Sequence, residues 1–315
     1  MPDVLPLVAA AVAGAAAMHG CTRATTASSP APPPPPKPTG GGKGKTVGIL
    51  HPGSMGASIA FNAKLNGARV VWAGDGRSRE SLERATKAGL EDVGTLAAMV
   101  EQASVIVSVC PPSAALDVAN AVAELKFTGT FVDGNAVAPG AGRPSFSRLQ
   151  RLGLRNADCS AHPPCTHAPT ATAAKVAASI RAGGGKFVDG GIVGGPAWAG
   201  NGNADDATRM YLSGEGAADI AALFEGTHLG VPLVEGAGET GASAMKIAYA
   251  SWTKGSSALL INVNAFAKAA GVHASLISEW TRSEPHKALA RSNGSKGVGP
   301  KAWRWIGEMQ EIAAS

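Results

Sequence analysis

The sequence is poor in the features that mark secreted and membrane-spanning proteins. Its 315 residues include only four cysteines, which are scattered along the chain at Cys21, Cys110, Cys159 and Cys165. This spacing argues against a disulfide framework and favours a reducing compartment. No apolar run reaches the roughly 18–20 residues that a helix needs to span a bilayer. We therefore expect no membrane association, and the length allows two domains with a well-buried core.

Clustered positive charge is missing from most of the chain. The formal net charge is +5. Residues 1–45 hold four basic residues against one acidic residue, and residues 140–169 repeat this count, so the remainder is nearly neutral. A nucleic-acid surface needs a basic face or stripe. The charge pattern therefore predicts no nucleic-acid partner.

Residues 1–45 lack the marks of a signal peptide. An Ala- and Val-rich stretch runs from Leu5 to Met18, but it is preceded by Asp3 and by no basic residue. An export signal begins with positive charge. A transit peptide for organellar import, a weak export signal and a wrongly assigned start all stay open, with the cytoplasm as the favoured location. We expect residues 1–45 to form a disordered leader and a Pro- and Gly-rich linker, extended at first and then flexible.

Residues 46–78 have the pattern of a strand, a glycine-rich turn, a helix and a second strand. One apolar run ends at Leu50, the turn spans 52–56, and the next apolar run spans 69–73. Such alternation continues to about residue 238, which predicts an α/β fold with a doubly wound, Rossmann-type sheet over residues 46–238. A long apolar helical pattern at 240–270 follows. Residues 239–315 are therefore predicted to form an all-α domain.

The glycine-rich turn is predicted to hold the pyrophosphate of a dinucleotide. Gly53 lacks a Cβ, so a phosphate can approach its backbone, and Gly56 lets the helix pack closely on the strand. The N–H groups of the first helical turn then face the anion. His51 replaces the first glycine of the usual motif, and an ordinary strand–turn–helix is the alternative. The predicted cofactor loop comprises Pro52, Gly53, Ser54, Met55 and Gly56.

Two further loops follow predicted strands at the same edge of the sheet. Cys110 and Pro111 come after a strand that ends at Val109, and Asn135 comes shortly after a strand that ends at Asp133. Ligands of open α/β sheets bind at the carboxyl ends of the strands. Cys110, Pro111 and Asn135 are therefore predicted to border the cofactor, with a purely turn-forming role as the alternative.

Residues 140–169 interrupt the alternation of strands and helices. The dipeptide at 138–139 recurs at 168–169, which indicates an insertion, and an untranslated segment retained in the gene is one explanation. Four potential zinc ligands occur here, but their spacing matches no common template. They are Cys159, His162, Cys165 and His167. We predict a disordered surface loop and no metal site.

Four motifs occur in a characteristic order. They are H-P-G-S-M-G at 51–56, V-S-V-C-P-P at 107–112, F-V-D-G-G-I-V-G-G-P at 187–196 and A-M-K-I-A-Y-A-S-W-T-K-G at 244–255. Together they resemble the β-hydroxyacid dehydrogenase superfamily, and within it the 6-phosphogluconate dehydrogenase-like branch. The resemblance implies a Rossmann domain, a helical domain that forms a homodimer, a small-molecule substrate and a catalytic lysine that maps to Lys246.

Lys246 also stands out on the residues alone. It lies near the start of the long apolar helix, directly after a glycine-rich loop, where packing gives little reason for a charge. The helix dipole opposes positive charge there and is expected to lower the pKa of the amine, which favours proton donation near neutral pH. The alternative to a catalytic role is a surface lysine whose methylene chain packs on apolar surface while its ammonium group stays in water. Tyr249, about one turn later on the same face, is predicted to assist catalysis.

The chain departs from the well-studied members of this family at the predicted substrate site. Val193-Gly194-Gly195 stands where they have Ser-Gly-Gly to hold a substrate carboxylate, and Tyr249 stands where they have Asn. A simple β-hydroxycarboxylate substrate is therefore in doubt. Val193, Gly194 and Gly195 are still predicted to bind the substrate. The branch continues for one or two more helices, so the domain at 239–315 is predicted to be truncated.

NADP is the predicted cofactor, ahead of NAD. Sites that prefer NAD place a carboxylate at the end of the second strand, whereas a 2′-phosphate is met by Arg and nearby hydroxyls. Arg77 and Ser78 lie just after this strand, and the guanidinium can grip a phosphate through two hydrogen bonds. Asp75 is the residue that favours NAD instead.

Taken together, these features predict an NADP-dependent oxidoreductase. It would transfer a hydride between the nicotinamide and a hydroxy or carbonyl substrate, with Lys246 as general acid and base. A non-catalytic NADP-binding sensor or scaffold is the first alternative, since the Ser of the substrate motif is missing. An imine reductase is the second, and the lysine at position 246 argues against it.

Overall fold

The computed structural model describes residues 37–135, 137–138, 172–198, 208–294 and 305–314. Residues 32–247 form one compact unit and residues 248–312 form another. The predicted insertion at 140–169 and its four candidate zinc ligands lie outside the described residues, as does most of the leader. Within the described parts of the chain, no group of three or more His, Cys, Asp or Glu side chains is placed to hold a metal ion.

The first unit is built on a seven-stranded sheet. Its spatial order is β3-β2-β1-β4-β5-β6-β7, and all neighbours are parallel except β6 and β7. The strands are β1 Thr46–Ile49, β2 Arg69–Trp72, β3 Glu91–Asp92, β4 Val105–Ser108, β5 Thr130–Asp133, β6 Lys186–Val193 and β7 Arg209–Ser213. The order of the first six strands is that of the Rossmann fold. The predicted fold class is therefore confirmed for this unit.

The structure describes six helices in the first unit, of which the first five lie between strands β1 to β6 and the sixth follows β7. They are α1 Ser54–Leu65, α2 Arg79–Ala88, α3 Leu96–Gln102, α4 Ala115–Glu124, α5 Thr172–Ala182 and α6 Ala217–Ala222, with a short 3-10 turn at Pro112–Ala114. The central strands are mostly apolar and buried, as is typical of parallel strands that are covered by helices on both faces. Val105 and Val107 on β4 pack into one buried cluster with Ile59 of α1, whereas Ile106 packs into another with Ile180 of α5.

The second unit is helical. Helix α7 Gly241–Ala269 begins in the first unit and continues into the second, where it is followed by α8 His273–Ser283, a π-helical turn Pro285–Leu289, α9 Ala290–Gly294 and α10 Trp305–Ala314. Lys254 on α7 forms a salt bridge with Glu308 on α10, and its Nζ lies 5.8 Å from the ring centre of Trp305. Of the helices that the structure describes, none is both long and apolar enough to cross a membrane.

Residues 37–45 are packed against the first unit, which corrects the expectation of a flexible linker up to residue 45. Asn66, which is buried, accounts for this packing. Its Oδ1 accepts a hydrogen bond from the N–H of Gly40 at 2.7 Å, and its carbonyl oxygen accepts one from the N–H of Gly42 at 3.0 Å. Its Nδ2 donates to the carbonyl oxygen of Ala222 at 2.9 Å. A buried amide needs such partners, and the glycine-rich segment supplies the one for Oδ1 while Ala222 supplies the one for Nδ2.

Candidate functional site

The glycine-rich loop between β1 and α1 has the geometry that its two glycines predict. A Cβ added to Gly56 would overlap the carbonyl oxygen of His51, so this glycine allows α1 to begin directly against the end of β1. A Cβ added to Gly53 would meet no described atom within 4 Å. Packing within the described part of the chain therefore gives no reason for a glycine at position 53, whereas a ligand that approaches the backbone does.

The first turn of α1 is suited to an anion. Gly53 is its N-cap, and no described side chain caps the helix there. None of the residues in the first turn is acidic. The N–H groups at the start of a helix carry partial positive charge and bind phosphate groups. The residues of this turn, Ser54 and Met55 among them, therefore fit the pyrophosphate of a dinucleotide.

Two arginines reach this loop from the region of α2. Arg77 donates a hydrogen bond from Nη2 to the carbonyl oxygen of Leu50 at 3.2 Å, and Arg84 donates one from Nε to the carbonyl oxygen of Pro52 at 2.8 Å. Arg77 is exposed, so part of its guanidinium is open to a ligand. Arg84 was not predicted from the sequence. It lies within α2, whereas Arg77 precedes this helix, so no spacing along one helix links the two arginines.

His51 adds no positive charge to the loop. Burial and, to a smaller extent, the charge of Arg77 together lower the pKa of its imidazole to about 4. The ring is therefore neutral at physiological pH. Any attraction of the loop for a phosphate comes from Arg77, from Arg84 and from the start of α1.

The end of β2 is shaped by an acidic residue on the neighbouring strand. Asp92 accepts hydrogen bonds through Oδ1 from the N–H of Gly74 at 3.0 Å and from the N–H of Gly94 at 2.9 Å. A Cβ on Gly74 would overlap the same carboxylate. Asp75 is exposed. Ser78 caps α2, where its Oγ accepts a hydrogen bond from the N–H of Ser81. Asp75, which favours NAD, and Arg77, which favours NADP, thus both follow β2.

Asn135 joins the ends of β4 and β5. It is 2% exposed, and its Oδ1 accepts a hydrogen bond from the N–H of Cys110 at 2.6 Å. Its Nδ2 donates to Oγ of Ser108 at 3.2 Å and to Oδ1 of Asp133. These bonds fix the position of Cys110 and, through it, of the exposed Pro111. Burial raises the pKa of the Cys110 thiol to about 11, so it is protonated at neutral pH.

The loop after β6 offers backbone groups rather than a side chain. Val193 is buried, so its side chain belongs to the core. Gly194 has a φ of +117°, a conformation that favours glycine. The carbonyl oxygen of the next residue, Gly195, accepts a hydrogen bond from the hydroxyl of Thr208. A Cβ on Gly195 would meet no described atom within 4 Å. The loop can therefore be approached by a ligand at Gly195.

The first turn of α7 lies directly on β6. Asp189, which is fully buried, accepts hydrogen bonds from the N–H of Ser243 at 2.7 Å and from its hydroxyl at 2.6 Å. Burial raises the pKa of this carboxyl to about 6, against the opposing effect of the bonds from Ser243. A Cβ on Gly191 would lie 2.8 Å from Cβ of Lys246. Lys246 is half-buried, and Tyr249 on the same helix is 46% exposed.

Several known structures share this architecture. A conserved protein of unknown function with structural similarity to 3-hydroxyacid dehydrogenases is 22% identical, with 85% of this chain and 87% of that chain covered and a TM-score of 0.57. A 3-hydroxyisobutyrate dehydrogenase from Salmonella typhimurium is 15% identical, with 85% and 86% covered and a TM-score of 0.53. The chain has the 3-hydroxyacid dehydrogenase fold. The predicted resemblance to the β-hydroxyacid dehydrogenases is therefore confirmed.

Further comparisons agree with this 3-hydroxyacid dehydrogenase fold. A Mycobacterium tuberculosis 3-hydroxyisobutyrate dehydrogenase, determined with L-serine, is 16% identical, with 76% of this chain and 71% of that chain covered and a TM-score of 0.50. Residues 42–136 match the NADPH-binding domain of acetohydroxy acid isomeroreductase, and residues 267–315 match a domain of unknown function, DUF1932. No curated protein sequence matches the chain significantly. The match at 42–136 supports a nicotinamide dinucleotide as cofactor.

Within the 3-hydroxyacid dehydrogenase fold of this chain, the predicted residues fall into three groups. The loop residues from Pro52 to Gly56 and Arg77 come together at the end of β1. Cys110, Pro111 and Asn135 meet at the ends of β4 and β5. Lys246 is placed against β6, whose end leads into Gly194 and Gly195. The polar groups that support these residues were not predicted from the sequence, namely Arg84, Asp92, Ser108, Asp189, Ser213 and Ser243.

Proposed function

We propose that the protein is an NADP-dependent oxidoreductase that acts on a hydroxy or carbonyl substrate. When bound, the nicotinamide supplies or accepts the hydride. Lys246 donates a proton to the carbonyl oxygen during reduction and takes it back from the hydroxyl during oxidation. The observation that carries the proposal is the contact of Lys246 with Gly191 of β6. Lys246 is the only lysine in the first two turns of α7, and β6 leads directly into the Gly194-Gly195 loop.

The remaining predicted residues have supporting roles in this proposal. Backbone N–H groups of Gly53 and the following turn bind the pyrophosphate, and Asn135 keeps Cys110 and Pro111 against the cofactor. Gly194 and Gly195 orient the substrate through their backbones, because the side chain of Val193 is buried. Tyr249 assists Lys246 from the next turn of the helix. The proposed location is the cytoplasm.

A non-catalytic NADP-binding sensor is the second candidate. The buried Val193 favours it, because no hydroxyl is offered where a substrate carboxylate would bind. A panel of hydroxy acids, sugar acids, carbonyl compounds and cyclic imines, with NADPH or NADH consumption or formation as the readout, separates the two. We expect turnover with a hydroxy or carbonyl compound. Tight NADPH binding without turnover on any compound would support the sensor, and turnover on imines alone would support an imine reductase.

Arg77 is proposed to select NADP over NAD by binding the 2′-phosphate. Replacing it with alanine should raise the dissociation constant for NADPH about 10- to 100-fold, because a charge-assisted hydrogen bond contributes about 1.5–3 kcal/mol. The constant for NADH should change less than threefold. Fluorescence titration measures both. Arg79→Ala is the matched control, since Arg79 is exposed and pairs with Glu83 on its own helix. Equal effects of Arg77→Ala on both cofactors would contradict the proposal.

A homodimer is proposed, with the interface on α7. Trp252, Leu259 and Phe266 recur every seven residues along this helix and are 63%, 64% and 72% exposed. Residues at this spacing share one face of a helix, and an apolar stripe of this kind is typical of helix–helix contacts. Covering it in a second copy would remove apolar surface from water.

The oligomeric state tests this interface. In light scattering after size-exclusion chromatography, the protein should have twice the chain mass of 31.4 kDa. Leu259→Asp with Phe266→Asp should reduce the mass to that of one chain, because two buried carboxylates without partners are costly. Ser278→Asp, at an exposed position on α8, should leave the dimer intact. A variant of both stripe residues that still forms dimers would refute the assignment of the interface.

A further inference from the structure

A fully buried carboxylate holds the start of the helix that carries Lys246. Both oxygens of Asp189 are used, since Oδ2 accepts from the N–H of Ser243 at 2.7 Å and Oδ1 accepts from its hydroxyl at 2.6 Å. The N–H belongs to the first turn of α7, which has no intrahelical partner for it. The pair of bonds therefore fixes both the position and the rotation of this turn.

A second hydroxyl reinforces the same turn. Oγ of Ser213 accepts a hydrogen bond from the N–H of Ala242 at 2.9 Å and donates one to the carbonyl oxygen of Glu239 at 2.9 Å. Ser213 is the partner of Asp189 in the pairing of β6 with β7, so the two side chains lie next to each other. Two adjacent strands thus bind two successive N–H groups of α7.

Gly191 completes the contact two residues further along β6. A Cβ at this position would lie 2.6 Å from the carbonyl oxygen of Ala242 and 2.8 Å from Cβ of Lys246. Alternate residues of a strand share a face, so Asp189 and Gly191 both meet α7. On the helix, Ser243 and Lys246 are three residues apart and also share a face. One strand face therefore binds the helix at Ser243 and lies against it at Lys246.

We propose that Asp189 is a positioning residue that sets the place of the Lys246 amine through its two hydrogen bonds to Ser243. The inference rests on the proposed function, in which Lys246 transfers the proton. Burying a carboxylate costs free energy that a neutral cap would not, and hydrogen bonds to a charged acceptor are stronger and shorter than those to a neutral one. A short, strong link at this turn limits the displacement of the lysine, and proton transfer is sensitive to such displacement.

The test measures Lys246 directly in the full-length protein. Brief labelling with acetic anhydride between pH 6 and pH 10, followed by peptide mass spectrometry, gives the labelling rate of each lysine and its pH profile. Lys175, an exposed residue of α5, is the internal control. Asp189→Ala should change the rate at Lys246 at least threefold and shift its pH profile, with Lys175 unchanged. Amide exchange over residues 241–247 should become at least tenfold faster.

Two further variants separate positioning from loss of the fold. Asp189→Asn keeps an acceptor for the N–H of Ser243 and a donor for its hydroxyl but loses the charge, so the change in labelling of Lys246 should be smaller than in Asp189→Ala without disappearing. Ser243→Ala removes only the hydroxyl bond and should give a smaller change of the same kind. NADPH binding, which involves β1, should stay within threefold in all variants. Loss of NADPH binding in Asp189→Ala would indicate a damaged fold. In that case the labelling of Lys246 in Ser243→Ala tests the positioning role instead.

The outcomes also separate this inference from the proposed function. Unchanged labelling and amide exchange at Lys246 in Asp189→Ala would overturn the positioning role, whatever the enzyme catalyses. Labelling that depends on Asp189, together with full turnover in Lys246→Ala, would leave the positioning role intact and refute the catalytic one. Where a substrate is found in the panel, Asp189→Ala should lower kcat and leave KM for NADPH within threefold.

Discussion

Lys246→Ala is expected to lower kcat on the substrate found in the panel by about 10²- to 10⁴-fold, the usual contribution of a general acid or base. The affinity for NADPH should change less than threefold, because the residues proposed to bind the dinucleotide lie at the start of α1, just before α2 and after β4 and β5 rather than on α7. Steady-state kinetics with NADPH consumption as the readout, together with a fluorescence titration of NADPH, measure both quantities.

Two controls accompany this substitution. Lys246→Arg keeps the positive charge but exchanges its proton poorly, so kcat should stay low. Lys175→Ala removes an exposed lysine from α5 and should leave kcat within twofold. Turnover by Lys246→Ala at the rate of the unmodified protein would remove Lys246 from the mechanism.

Gly53→Ala is expected to weaken NADPH binding without destabilising the fold, whereas Gly56→Ala is expected to destabilise the fold. Gly56→Ala should destabilise the protein by about 1–3 kcal/mol, because its Cβ overlaps the carbonyl oxygen of His51 and either β1 or α1 has to move. Gly53→Ala should leave the fold intact, since its φ of −67° suits alanine and its Cβ meets no described atom within 4 Å. The same methyl group would lie where the pyrophosphate approaches, so NADPH affinity should fall at least tenfold.

Thermal unfolding and NADPH titration of both variants measure this contrast, with each variant as the matched control of the other. Gly53→Ala should keep its Tm within about 2 °C of the unmodified protein or slightly above it, because alanine lowers the entropy of the unfolded chain. Unaltered NADPH binding in Gly53→Ala would exclude the loop as the pyrophosphate site, even if Gly56→Ala unfolds early.

The elements with strong local signals were predictable from the sequence. The strand before Leu50, a turn and a helix after it follow from apolar runs and glycines, and they are observed as β1, the loop and α1, although α1 begins at Ser54 within the predicted turn at 52–56. The helical pattern at 240–270 corresponds to α7 Gly241–Ala269. These segments were predictable because their periodicity is long and uninterrupted.

The length of strand β6 does not follow from the local sequence, for a physical reason. Glycines after Asp189 are typical of a loop, but β6 continues to Val193 and pairs with β7 through Gly190 and Gly191. Glycine within a strand marks a close approach of another backbone. Here the approaching backbone is that of Ala242, 51 residues later in the chain. A local pattern carries no information about such a distant contact.

The supporting side chains of the candidate site were missed for the same reason. Asp189 and Ser243 are 54 residues apart, and Asn135 and Cys110 are 25 apart. Each pair becomes visible only when the strand order brings the two segments together. Arg77 and Lys246 were predicted because their local positions already indicate a role. Arg77 follows the second strand, and Lys246 lies near the start of the long helix.

The packing of residues 37–45 extends the folded unit at its amino-terminal side. Without this segment, Oδ1 of the buried Asn66 would lose its bond from Gly40, and an unsatisfied buried acceptor costs about 1–3 kcal/mol. Recombinant versions of the first unit are therefore better started before Lys37 than at the first residue of β1. The glycine-rich segment 37–45 is then part of the folded unit, so a tag or a fusion partner should be attached before residue 37.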